Sequence, residues 1–146
     1  MLADKLKELL ASSYAFVIKA QYFHWNVEGP NFPQYHEFFG DLYAEVYASL
    51  DKTAEYIRTL DSYTPGSFER YKELSILPDQ TMVPRAELMF AELQSDNELL
   101  LGLLQECFVV AGEENQRGIE NYLAERLDAH AKHNWMIKSI LKKDRQ

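Results

Sequence analysis

Glycine, proline and cysteine are scarce in this sequence, at 6, 5 and 1 of 146 residues. So few chain-breaking residues suit a helical protein with few connections. A single cysteine excludes an internal disulfide and fits a reducing compartment. It lies in the apolar stretch Cys107-Phe108-Val109-Val110 and reads as a small buried hydrophobe rather than a reactive thiol. No apolar run approaches the ~18 residues that span a bilayer. The opening residues Met1-Leu2-Ala3-Asp4-Lys5-Leu6 enter a helical pattern at once, without the apolar core of a leader. A soluble, cytoplasmic protein is expected. Positive charge is the minority, 15 Lys+Arg against 23 Asp+Glu for a net −8. That argues against nucleic acid as the default partner, because phosphate binding releases counterions onto basic surface. With 47% hydrophobic and 26% charged residues the composition is globular and excludes disorder, and the length suits a single domain over 1–146.

Four long segments carry helical periodicity. The first places Leu2, Leu6, Leu9, Phe16, Ala20 and Phe23 on one stripe, interrupted at Ser13, and stops at Gly29-Pro30. The second opens at Asn31-Phe32-Pro33, with Asn31 as cap, and its stripe runs from Tyr35 through Phe39, Leu42, Val46 and Ile57 to Leu60. The third begins near Pro84, runs from Ala86 through Leu93 and Leu100 to Ala111, and closes at Gly112. The fourth starts near Asn115 and carries Ile119, Leu123, Leu127, His130, Ile137 and Leu141.

Each segment is about 25 residues, or ~37 Å of helix. Short turns make segments one and two, and three and four, antiparallel neighbours. The 23 residues between Leu60 and Pro84 are too many for a tight turn and enough to travel the bundle's length. The expected fold is therefore all-α, a four-helix bundle with one long crossover and a short helix near Phe68–Leu74, the ferritin-like arrangement. Tyr14, Ile18, Tyr22 and Trp25 form a second apolar stripe on the first helix, and Phe38, Tyr43, Ala44, Tyr47 and Ala48 lie off the main stripe of the second. An apolar face the core does not use is a candidate subunit interface.

Four histidines are present. His24 ends the first helix and His36 opens the second, so the turn brings them to one end of the bundle. Asp51 and Glu55 are spaced i,i+4 and share a face of the second helix. Imidazole with carboxylate is a ligand mixture for iron, zinc or manganese. His36 and Asp51, however, are 15 residues apart on one helix, roughly 22 Å. They cannot share an ion within one chain. Two copies of the helix, antiparallel about a two-fold axis near Tyr43–Ala44, would set His36 of one chain against Asp51 and Glu55 of the other and create two identical sites. The plainer alternative is a solvated acidic face and two turn histidines. His130 sits on an apolar stripe and reads as a hydrogen-bonded core histidine. With His133 it forms only a weak His-x-x-His pair.

Tyr22-Phe23-His24-Trp25-Asn26-Val27-Glu28-Gly29-Pro30-Asn31-Phe32, then Tyr35-His36-Glu37, resembles the signature of the Dps mini-ferritins. So do Asp51-Lys52-Thr53-Ala54-Glu55-Tyr56-Ile57-Arg58-Thr59-Leu60 and Lys132-His133-Asn134-Trp135-Met136-Ile137-Lys138. The resemblance spans essentially the whole chain. It implies a dodecamer whose ferroxidase sites, built from His24 and His36 of one subunit and Asp51 and Glu55 of its partner, lie at two-fold interfaces. It implies oxidation of Fe(II), preferably by hydrogen peroxide rather than oxygen, storage of the ferric product in a hollow shell, and protection from oxidative damage. Trp25 and Trp135 resemble aromatic residues near that site, with core packing as the plainer reading.

Three positions depart from the family pattern. An aspartate is frequent one turn after the second histidine; here that residue is Gly40, with Asp41 about 100° away around the helix. The acidic pore segment is replaced by Glu113-Glu114-Asn115-Gln116-Arg117-Gly118, with Glu120 and Glu125 as substitutes. No Lys-rich N-terminal tail is present, only Lys138, Lys142, Lys143 and Arg145 at the C-terminal end, and with twelve copies at −8 each DNA is a possible but not the favoured partner. The alternative function, suggested by Gly40, is a DNA-coating assembly with weak or lost ferroxidase activity.

Overall fold

The computed structural model describes residues 1–143. Those residues form five helices and no strand: α1 Leu2–Asn26, α2 Phe32–Thr59, α3 Phe68–Leu74, α4 Ala86–Glu113 and α5 Arg117–Leu141. The stripes read from the sequence face inward. Phe16, Phe23, Phe39 and Phe90 are fully buried in one shared core, each contributing ~2–3 kcal/mol of hydrophobic stabilisation. Among the described residues, no helix is long and apolar enough to cross a membrane.

The helix ends follow from local chemistry, with two corrections. Gly29 takes φ +121° and lets the chain leave α1. Asn31 is the N-cap residue of α2, but its side chain makes no capping bond; it reaches the Tyr35 hydroxyl instead. Gly112 lies inside α4, which ends later, where Asn115 adopts φ 58°. The bonds from Gln116 N–H to the Ala111 carbonyl and from Asn115 N–H to the Gly112 carbonyl close that end as a Schellman motif. Asp61 closes α2 in the same way. Ser67 caps α3 by accepting from the Arg70 N–H.

α1 packs on α2, α4 on α5, and α1 on α4. Lys5–Glu106 and Lys19–Asp96 contacts set α1 antiparallel to α4, so α2 and α4 run parallel and the connection must cross over. It does so along α1. Tyr71 stacks on Tyr14 at 4.9 Å, Ile76 N–H donates to the Ser12 hydroxyl, and the Tyr22 hydroxyl donates to the Thr81 carbonyl. Half of the second stripe of α1 is thus covered within the chain. Ile18, Trp25 and Tyr47 remain more than half exposed, beside exposed Ala44 and Ala48.

Candidate metal centre

The turn between α1 and α2 lays the His24 and His36 imidazoles on one another, centroids 3.8 Å apart and planes 13° from parallel. Each ring reaches the other residue's backbone, His24 Nδ1 to the His36 carbonyl at 2.5 Å and His36 Nδ1 to the His24 carbonyl at 2.7 Å. A carbonyl only accepts, so both rings carry their proton on Nδ1. In the neutral ring each Nε2 then keeps a lone pair, and no group among the described residues bonds to it. That is the form in which imidazole ligates a metal, with the second nitrogen fixed by an outer partner. Phe32 stacks on His36, and Tyr43 meets the His24 ring edge-on.

Asp51 and Glu55 are exposed on α2, about 22 and 28 Å along the helix from His36. Among the described residues, no group of three or more His, Cys, Asp or Glu converges on one point. The chain therefore joins the two histidines and leaves the two carboxylates apart. Asp41 is turned away from the histidines. It lines a crevice of about 500 Å³ between α2 and α5, together with Glu45, Lys132 and His133.

His130 is a bonded core residue, as its stripe position suggests. Its Nδ1 donates to Asn97 Oδ1 at 2.7 Å, and its Nε2 accepts from Arg126 at 3.1 Å. Burial first, then the Arg126 charge, lowers its pKa to about 3, so it stays neutral. His133 donates from Nε2 to Glu45, which also takes a two-pronged bond from Arg126. The His-x-x-His pair is committed to this network. Burial alone would raise the Glu45 pKa, but the hydrogen bonds from His133 and Arg126 and their charge outweigh it and hold the carboxyl far below its usual range. Glu45, Arg126, Lys19, Asp96 and Asn97 are buried or half-buried polar residues that sequence reasoning missed. Trp25 and Trp135 are 64% and 63% exposed, which corrects the core-packing reading.

Comparison with known proteins places the fold. The family model of the ferritin-like domain matches residues 3–146. The Dps of Staphylococcus aureus superposes with a TM-score of 0.94 at 29% identity, over 98% of this chain and 96% of that one. The chain belongs to the Dps family. A Dps protein of Vibrio cholerae, described as a member of a broad superfamily of ferritin-like diiron-carboxylate proteins, superposes with a TM-score of 0.93 at 26% identity, over 97% of this chain and 89% of that one. An uncharacterized low temperature-induced protein of Nostoc is 33% identical over 138 residues, 93% of this chain and 77% of its own length.

Within this Dps chain two of the four substitute pore residues are engaged: Glu114 accepts from the Leu2 N–H, and Arg117 pairs with Glu120 at 3.0 Å, while Glu113 and Glu125 are exposed. At the basic end Lys143 contacts Glu87, Lys138 and Lys142 are exposed, and Arg145 lies outside the described residues.

Proposed function

We propose that residues 1–146 act as one ferritin-like unit that assembles into a hollow, cytoplasmic dodecamer and serves as a ferroxidase and iron store. Fe(II) is the substrate, and hydrogen peroxide (or oxygen) the oxidant. His24 and His36 of one subunit and Asp51 and Glu55 of its two-fold partner hold the iron. The observation that carries this reading is the pre-stacked imidazole pair with both Nδ1 protons bound to carbonyls and both Nε2 atoms bare. Its complement is the exposed Asp51/Glu55 pair on the same helix, too distant to join it within one chain. The exposed Ala44, Tyr47 and Ala48 between the two sets supply a close-approach surface for a second α2.

The chemistry divides by donor type. Neutral imidazoles bind iron without adding charge. The two carboxylates balance a dication and leave one positive charge once it is oxidised. Consuming Fe(II) and peroxide together suppresses hydroxyl-radical formation and so limits oxidative damage. The net charge of −8 weighs against a DNA-coating role.

The test is iron oxidation by the apoprotein, with Fe(II) added anaerobically, then substoichiometric peroxide, and the product passed over a sizing column. Iron should oxidise faster than in buffer and elute with the shell. Asp51→Asn with Glu55→Gln should leave assembly intact and abolish the fast phase. An unchanged rate in that double variant would remove these carboxylates from the site.

A further inference from the structure

Three sides of the bundle are closely packed, α1 on α2, α4 on α5 and α1 on α4, but α2 and α5 stand apart. Polar bonds span this fourth side: Arg126 and His133 of α5 reach Glu45, and Tyr122 bonds with Thr53. They leave between the two helices the crevice of about 500 Å³, a size typical of small-molecule sites. Its walls are apolar, with Phe38 and Leu42 from α2 and Ala129 and Met136 from α5. Its fixed polar groups are acceptors. His133, only 5% exposed, gives its Nε2 proton to Glu45, so in the neutral ring Nδ1 is an acceptor, and that atom is buried without a partner. Glu45 Oε1 accepts from both His133 and Arg126, whereas Oε2 accepts from Arg126 alone and has a lone pair left. Asp41, one turn before Glu45 on the same face of α2, has no hydrogen-bond or ion-pair partner among the described residues.

We propose that this crevice is a binding site for a small organic cation, a primary ammonium on an apolar body about the size of one aromatic ring. An ammonium carries three N–H donors and no acceptor, which matches three acceptors of which two are carboxylates. A donor delivered to His133 Nδ1 also relieves the cost of leaving a buried acceptor unpaired. The apolar body lies against Phe38 and Met136, an aromatic ring and a polarisable thioether that suit an aromatic guest. Lys132 is the one lysine or arginine among the lining residues. It is exposed on α5 and pairs with neither carboxylate, so its long side chain keeps its charge in water while the ligand occupies the slot. An anion would have to enter past Asp41 and Glu45 to reach that lysine.

The test is calorimetric titration of the purified protein with 2-phenylethylammonium, and with phenylacetate as an anion of the same shape. The cation should bind once per subunit and the anion at least ~10-fold more weakly, the scale of one charge-assisted hydrogen bond. Ala129→Leu fills the crevice and keeps the net charge of −8, so it measures any general attraction of cations to an acidic protein. Asp41→Asn should weaken ammonium binding ~2–5-fold, the effect of one exposed charge, and Lys132→Met should tighten it by a similar factor. All three variants should elute from a sizing column as the wild type does. Phenylacetate binding as tightly as the ammonium would overturn the charge assignment, as would unchanged affinity in both Asp41→Asn and Lys132→Met. Ammonium binding by the wild type no stronger than by Ala129→Leu would remove the site.

Discussion

Lys19 of α1 and Asp96 of α4 meet at 2.8 Å with side chains only 4% and 2% exposed. Apart from each other, neither Lys19 Nζ nor Asp96 Oδ2 has a hydrogen-bond partner among the described residues. Each charge is therefore compensated by one group alone. Removing either partner leaves an uncompensated buried charge, at a cost of ~3–5 kcal/mol. For a chain of this size ~1 kcal/mol moves the melting midpoint by ~2–4 °C, so Lys19→Met and Asp96→Leu should each melt roughly 6–20 °C lower. Replacing both removes the desolvation of two ions along with their attraction, and Lys19→Met/Asp96→Leu should match or exceed the wild type by up to ~4 kcal/mol. The single variants also differ in pH response. Burial raises the Asp96 pKa even with Lys19 present. Without Lys19 the folded state favours the protonated acid more strongly, so Lys19→Met should lose less stability at pH 4 than at pH 7. Urea unfolding of the three variants and the wild type, at both pH values, gives the whole cycle. Single variants costing under ~1 kcal/mol, or a double variant no better than the worse single one, would refute a pair whose members depend on each other.

Acid should destabilise the fold through two other groups. The His130 pKa falls from 6.5 to about 3 and that of Glu45 falls from 4.5, so in both cases the unfolded chain takes up protons first. Their stabilisation is complete near neutral pH, erodes below about 6.5 for His130, and erodes further below about 4.5 for Glu45. Urea midpoints between pH 7 and 3.5 should fall accordingly, with Glu45→Gln flattening the lower part; an identical slope in that variant would contradict the assignment. Cys107 is buried, and burial pushes its thiol up to about 12. A thiol reagent should label it only as the protein unfolds, and stoichiometric labelling of native protein at neutral pH would show the α4 core to be open.

The helices, their order and the short crossover helix Phe68–Leu74 were legible because hydrophobic period and chain breakers are local properties. The meeting of His24 and His36 was legible too, since a five-residue turn fixes which residues face one another across it. Pairing between distant segments was not. Lys19 follows Phe16 by three residues, a stripe position, and Asp96 and Asn97 occupy the gap between Leu93 and Leu100; both look like flaws in an apolar pattern until α1 and α4 are brought together. Glu45 and Arg126 read as surface charges because their burial depends on how α2 and α5 are rotated. Gly40 showed a missing carboxylate in the sequence, and only the fold shows that the His24 ring stands beside it. The cover over Tyr14 and Tyr22 depended on the path of the crossover, which length alone does not determine.

The exchange of bonds between His24 and His36 makes the α1–α2 hairpin self-latching. Carbonyls in the last turn of a helix lack intrahelical partners, and His36 supplies one for the carbonyl of His24. The rings are thus ordered by folding, and on the proposed metal reading an arriving cation would not bear the ~0.5–1.5 kcal/mol of entropy lost in immobilising each side chain. The same latch confounds histidine-to-alanine experiments, which remove a donor and loosen the hairpin together. Asparagine carries an N–H close to the position of Nδ1–H and has nothing at Nε2. Substituting it for either histidine separates the latch from the proposed ligand role, keeping the first while deleting the second.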